Sequence, residues 1–460
     1  MKTYLIPIVF SAIFVLSCSQ KEKPTKEMIM NAPKAEKIPT MLKKHDDLRV
    51  DNYFWLNDRE NPEVIDYLER ENDYNDKMTA HTQDFQKSLF EEMKSRIKED
   101  DESVPYFYNE YWYITRYEEG KQYPIFTRKK ESMDADEEIL FDCNEMAKEH
   151  SYFRLTGIEI SPDNKLAAFA VDTVSRRQYT LRIKNLETGH IYPETIENTT
   201  GNSSFANDNI TLFYTQKNPQ TLRSERIFKH KLGTSASDDT MVFHEKDDTF
   251  STFVYKSKSQ QYLIIGSAST LTSEYQILDA DTPDAAFSVF QARERGLEYG
   301  ISHFGDYFYI VTNIDKATNF KLMKTPINKT SKSNWEEVIP HREDVLLEGI
   351  DIFKDYLVVS ERSNGLNQIN IQRWDGSINY YLPFDSETYT AYTTTNVDFN
   401  TQTLRYAFNS MTTPSSVIDF DMETQEETIL KEQQVLGGKF YKNNYVSERL
   451  WATASDGTQI

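Results

Sequence analysis

A short polar turn set between two apolar runs recurs along this chain at nearly even intervals, and no other feature limits the fold as much. The turns are Tyr108-Asn109-Glu110, Pro162-Asp163-Asn164, Ala206-Asn207-Asp208, Ser257-Lys258-Ser259, Phe304-Gly305-Asp306, Phe353-Lys354-Asp355 and Phe399-Asn400-Thr401. A strand-like run follows, such as LAAFAV from 166, ITLFYT from 210, YLIIGS from 262, YFYIVT from 307, YLVVSE from 356 and LRYAFN from 404. The turn centres lie 44 to 54 residues apart, which is the length of a four-stranded propeller blade. Further runs, QYTLRIKNLETG from 178, RIFKHKLGT from 226, NFKLMKTPI from 319 and LNQINIQRWDG from 366, supply third and fourth strands. A two-sheet sandwich could use the same strands but does not demand near-equal repeats. The predicted fold class is therefore all-β: a seven-bladed β-propeller over residues 105–440, preceded by a short helical N-terminal extension.

That extension occupies residues 41–104. Asn61 suits an N-cap and Pro62 the first helical position, and neither Gly nor a further Pro interrupts the segment up to Ile97. At least two helices are predicted, the second capped by Thr82. Along it Phe85, Leu89, Phe90, Met93 and Ile97 recur at spacings of three and four, giving one apolar stripe that needs a surface to cover it.

The N-terminus carries an address. Lys2 precedes an apolar run from Tyr4 to Leu16, too short to span a bilayer, and Leu16-Ser17-Cys18 fits the cleavage site of a bacterial lipoprotein signal. Residues 1–17 are predicted to be the signal peptide and Cys18 the lipid-anchored residue. Residues 18–40, rich in Lys, Glu and Pro, are predicted to form a flexible tether. This predicts a protein of the bacterial cell envelope, lipid-anchored on the periplasmic face of the outer membrane, that meets the membrane through its lipid only. An ordinary secretory signal with Cys18 uninvolved is the alternative. Cys143 is the one other cysteine, predicted to be a buried structural thiol.

Lys and Arg total 52 against 73 Asp and Glu, a net charge of −21, which excludes nucleic acid as a partner. Cofactor chemistry finds no foothold either: phosphate-binding and dinucleotide glycine loops are absent. His244-Glu245 lacks a second His at 248, where Asp stands, so no zincin helix is expected. Asp134, Asp136, Glu138 and Glu145 match a calcium-loop count, but Ile139 replaces the glycine that its sharp turn requires. Metal and cofactor are accordingly predicted to be none, with the acidic runs and Arg176-Arg177 read as surface features. The nucleophile elbow G-x-S-x-G is missing as well, since the only glycines four apart, Gly296 and Gly300, flank Glu298.

Specific strings narrow the reading. DNYFWLND (51–58), SPDNKLAAFAVDTVSRRQYTLRIKNLETG (161–189), TLRSERIFKHKLGT (221–234), STLTSEYQ (269–276), NGLNQINIQRWDG (364–376), NSMTTPSS (409–416) and ERLWATASDGTQI (448–460) resemble the oligopeptidase B branch of the prolyl oligopeptidase family. Asn52 departs from the usual Pro of the family and Asn164 from its common Gly, although Asn tolerates positive φ. The resemblance implies a serine peptidase, without cofactor, that cleaves short peptides after Arg or Lys. In it a propeller gates access to an α/β-hydrolase domain built from both chain ends, on which the helical stripe would pack.

Asp456-Gly457 reads as a hairpin turn, so residues 441–460 are expected to begin that hydrolase domain, with the rest missing. The resemblance places Ser, Asp and His beyond Ile460. No catalytic residue is expected in this chain, and no substrate-binding residue is assigned. The expected partners are short basic peptides and the missing C-terminal hydrolase domain. The competing reading is a non-catalytic, lipid-anchored β-propeller that serves as a binding scaffold.

Overall fold

In the strand Leu166–Asp172 nearly every side chain is buried, whichever way it points. Ala167 and Phe169 pack with Tyr113, Leu140 and Phe141 on one side, while Leu166, Ala168 and Ala170 pack with Leu181, Ile183 and Leu212 on the other. Alternate residues serving two neighbours is what a sheet pressed between two other sheets requires. The same division recurs further on: Leu357 and Val359 meet Tyr309 and Leu322, whereas Tyr356 and Val358 meet Leu404 and Tyr406. Apolar runs such as YLVVSE are thus the second strands of blades stacked face to face around an axis.

The computed structural model describes residues 31–460, so Cys18 and the signal segment lie outside the described residues. The chain divides into two compact units at Lys94/Ser95. In the second, five four-stranded antiparallel blades span 106–142, 251–291, 299–339, 345–381 and 390–432. Residues 154–244 do not add two more of the same kind. They form one continuous seven-stranded sheet.

The expectation of a seven-bladed propeller is corrected at this point, and the cause is one strand. Ile196–Phe205 runs ten residues without a turn. Its first part pairs with Tyr179–Asn185, Ile196 opposite Leu181, and its last part with Thr211–Lys217, Phe205 opposite Leu212. A register shift between Thr199 and Ser203, around Gly201 at φ 93°, lets the chain bend while it keeps hydrogen bonding. What the repeat spacing predicts as a boundary is therefore bridged.

Five of the predicted turns nevertheless lie between a blade's first two strands and the other two, at 163 and 207, join neighbouring strands of the seven-stranded sheet; Asn109 and Asn164 adopt φ of 45° and 63°. Four antiparallel strands per blade return the chain to the face it entered. The first strand, starting at Tyr106, and the last, ending at Glu432, begin and end at one end of the channel, where side chains of the last blade reach residues 101–105, and the turn at Asn109 lies at the other end of the first strand. Arg405 Nη1 donates to the Pro105 carbonyl at 2.7 Å and Lys431 Nζ contacts both Asp101 oxygens at 2.9 Å, tying the last blade to the strand that enters the first. The C-terminal hairpin forms as expected, Ala452 and Ile460 exchanging two backbone bonds of 2.8 Å across Asp456-Gly457.

The first unit holds a hairpin, Thr40–Lys44 with Asp47–Asp51, and two helices, α1 (Pro62–Thr79) and α2 (Gln83–Lys94). Asn61 caps α1, its side chain accepting from the Glu63 N–H at 2.9 Å. Thr82 does not cap α2 as predicted: a 3-10 turn, Ala80–Thr82, runs straight into the helix, and its hydroxyl donates to the Thr79 carbonyl at 2.7 Å. The apolar stripe lies exposed, with Phe85 at 68% of its full surface. Among the described residues no helix is long and apolar enough to cross a membrane.

Candidate functional site

The inner strands converge on the propeller axis, and a cavity of about 950 Å³ lies among those of the first blade, the seven-stranded sheet and the 251–291 blade, with Asn396 and Val397 of the last blade also lining it, and reaches the inner turns. Tyr106 and Tyr108, Glu159, Ser203 and Ser204, and Tyr255 and Lys256 line it from four successive inner strands. Neighbouring turns knit the channel end beside it. Asn109 Nδ2 donates to the Pro162 carbonyl at 2.9 Å, the Asp163 N–H to Asn209 at 2.9 Å, and Asn207 Nδ2 to the Gln260 carbonyl at 3.2 Å. Lys258 reaches furthest, its Nζ donating to the Ile352 carbonyl at 2.8 Å between the rings of Phe353 and Phe399. Burial there lowers its ammonium to a pKa of about 8, against the opposing pull of Asp351 and Asp398.

Glu159 reaches the cavity because its strand is bulged. Along Arg154–Ile160 the register shifts between Thr156 and Glu159, at Gly157 with φ 62°. The space a Cβ on Gly157 would fill is occupied by the Gly201 carbonyl oxygen, 1.8 Å away. Two glycines on adjacent inner strands therefore touch backbone to backbone, and two residues beyond each stands a cavity-lining side chain, Glu159 and Ser203.

Enclosed by protein yet open to the cavity, the Glu159 carboxyl has its pKa raised to about 7 by burial, against the opposing pull of Lys256 and the Phe205 N–H. The groups facing it are Lys256, whose own pKa burial lowers, and the phenols of Tyr106 and Tyr108, which burial raises. This has a stability consequence with a definite sign. In the unfolded chain the carboxyl loses its proton near 4.5, in the fold near 7, so wild-type stability falls as pH rises through that window and levels off above it. Glu159→Gln has no such proton to lose. Its unfolding temperature, compared with wild type at pH 5 and pH 8, is expected to gain on wild type at the higher pH.

The predicted features fall elsewhere. Glu138 pairs with Arg128 on its blade and Glu145 with Lys148 on the short helix Cys143–Met146, so the calcium-like acids serve separate elements. Arg176 and Arg177 are exposed in a turn whose backbone N–H groups are bound by Asp172. Glu245 is buried and paired with Arg293. Cys143 is buried as expected, its thiol pushed up to about 12 by that burial. Sequence reasoning missed Glu159 and Ser203. The available signal was a lone glycine inside each strand pattern, RLTGIEI and IENTTGNSSF, which marks a bulge or a close backbone approach.

The N-terminal β-propeller domain model of prolyl oligopeptidase matches residues 33–433. The chain belongs to the prolyl oligopeptidase family. It is 39% identical to a dipeptidyl aminopeptidase BI of Pseudoxanthomonas mexicana over 92% of this chain and 61% of that protein, and 31% identical to protease 2 of Moraxella lacunata over 94% and 62%. Among solved structures, oligopeptidase B of Leishmania major superposes with a TM-score of 0.86 at 29% identity, covering 93% of this chain and 64% of that one. Oligopeptidase B of Trypanosoma brucei superposes at 0.84 and 28%, with the same coverage. The resemblance to the oligopeptidase B branch holds, and the family is one of serine peptidases. This chain is the propeller part, and it spans just over three fifths of the relatives it matches.

Proposed function

We propose that this chain is the propeller part of a serine oligopeptidase that hydrolyses short peptides after Arg or Lys, the propeller admitting only what its channel passes. The observation that carries this reading is the alignment of nearly the whole described chain with oligopeptidase B, in sequence and in three dimensions. In the complete enzyme a serine outside this chain would attack the scissile carbonyl with a histidine as general base, through an acyl-enzyme. The net charge of −21 favours the approach of cationic peptides, an effect that salt weakens. The exposed stripe of Phe85, Leu89 and Met93 is apolar surface suited to a hydrolase domain. Anchoring through Cys18 would hold the enzyme at the cell envelope.

The test is hydrolysis of a fluorogenic Arg-Arg peptide by this chain and, if the reading frame continues past Ile460, by the extended gene product. Cleavage by the extended form alone is expected. In cells, Cys18→Ser is expected to move the protein from the membrane to the soluble fraction. Cleavage by neither form, with the longer one folded, would leave the non-catalytic lipid-anchored binding scaffold as the function. An unchanged membrane fraction for Cys18→Ser would remove the lipid anchor.

A further inference from the structure

We propose that the cavity at the turn end of the channel is a subsite for one cationic group of a peptide, a guanidinium or an ammonium, with Glu159 as its counter-ion. The inference deepens the peptidase reading and rests on it for the ligand being a peptide.

Glu159 is a carboxyl enclosed in a channel, yet among the described residues it forms no ion pair within 4.0 Å. The nearest cation, Lys256, is held to the rim: its Nζ lies 2.5 Å from Asn207 Oδ1, and Asn207 is itself fixed by a 2.7 Å bond to Asp281. An acid half-buried among protein groups, with no cation paired to it, is poorly solvated unless it is protonated or something brings the charge to it. Independently, Ser203 retains 7% of its surface, lines the same cavity and has an Oγ with no hydrogen-bond partner among the described residues. Unsatisfied buried hydroxyls are uncommon in native proteins and ask for a partner. The Tyr106 and Tyr108 rings supply walls of the kind that attract a cation. About 950 Å³ holds a peptide segment beside the charged group.

An anion would have to lie against Glu159, and a neutral group would leave that carboxyl as it is. A cation instead draws off its proton and completes the ion pair that Glu159 lacks. The site lies at the end of the channel away from the entering and leaving chain segments. It would therefore hold a residue of the peptide at that end.

Calorimetric titration of this chain with acetyl-arginine amide and with acetyl-citrulline amide, which matches it in shape but carries no charge, tests the assignment. Wild type is expected to bind the arginine ligand at least about tenfold more tightly. Glu159→Gln, nearly isosteric with the protonated acid, is expected to abolish that preference while leaving citrulline binding and the fold intact. Ser203→Ala is expected to weaken arginine binding by about threefold. Equal affinity for the two ligands in wild type, or a preference that survives Glu159→Gln, overturns the proposal. Because the readout is binding to this chain, a preference without cleavage by the longer form keeps the subsite and removes the peptidase reading. Cleavage without a preference does the reverse.

Discussion

Gly157→Ala is expected to lower the free energy of unfolding by about 4 kcal/mol, from strain at positive φ plus overpacking against a neighbouring strand. Gly157 has φ 62°, and its Cβ would fall 1.8 Å from the Gly201 carbonyl oxygen and 2.8 Å from the carbonyl carbon. Backbone atoms held by paired residues on either side of each bulge cannot rotate away as a flexible side chain would. The inner strands must separate, carrying Glu159 and Ser203 with them. Gly189→Ala supplies the comparison, since Gly189 also has positive φ, 73°, but nothing lies within 4 Å of its Cβ position. There only the conformational cost remains, about 1 kcal/mol. Urea denaturation of both variants measures the difference. Equal losses would mean that the contact between Gly157 and Gly201 carries no weight and that the cavity walls are not set by it.

The contrast shows where the amino-acid sequence is informative and where it is not. Runs such as LAAFAV and YLIIGS announce strands because both of their faces are buried, and the turns between them announce themselves by Asn, Asp, Gly and Ser. These are local signals, and the structure places a hairpin at each. The bridging of two predicted units depends instead on IENTTGNSSF, whose polar residues and glycine resemble turn chemistry although the chain keeps pairing through them. No local pattern distinguishes a strand that bends from a strand that stops. Glu159 is hidden for a related reason. Flanked by Ile158 and Ile160 it reads as an outward-facing polar residue, and only the bulge at Gly157, fixed by contact with Gly201 far along the chain, decides which way it points. The helical stripe shows the opposite case: periodicity finds Phe85, Leu89 and Met93 correctly, but the surface that covers them is not a property of the helix.

Phe169→Ala is expected to cost about 4 kcal/mol, the range for emptying an aromatic ring from a core that relaxes only in part. Phe169 is fully buried, its ring centroid 4.6 Å from that of Phe141 on the first blade, with Tyr113 and Leu140 in the same cluster. Its strand neighbours Ala168 and Ala170 face the other way, so the loss falls on one interface between sheets. Phe85→Ala makes the same chemical change on the exposed stripe of α2 and is expected to alter the stability of this chain by less than about 0.5 kcal/mol. Thermal unfolding of both variants, in this chain and in a longer gene product, separates two kinds of apolar surface. Phe169 costs the same in either length, because its partners are all on the propeller. If Phe85→Ala becomes costly only in the longer form, the stripe is covered by polypeptide beyond residue 460, as the peptidase reading requires. If it stays free of cost in both, α2 packs against nothing in that form, and the proposed hydrolase partner loses its support.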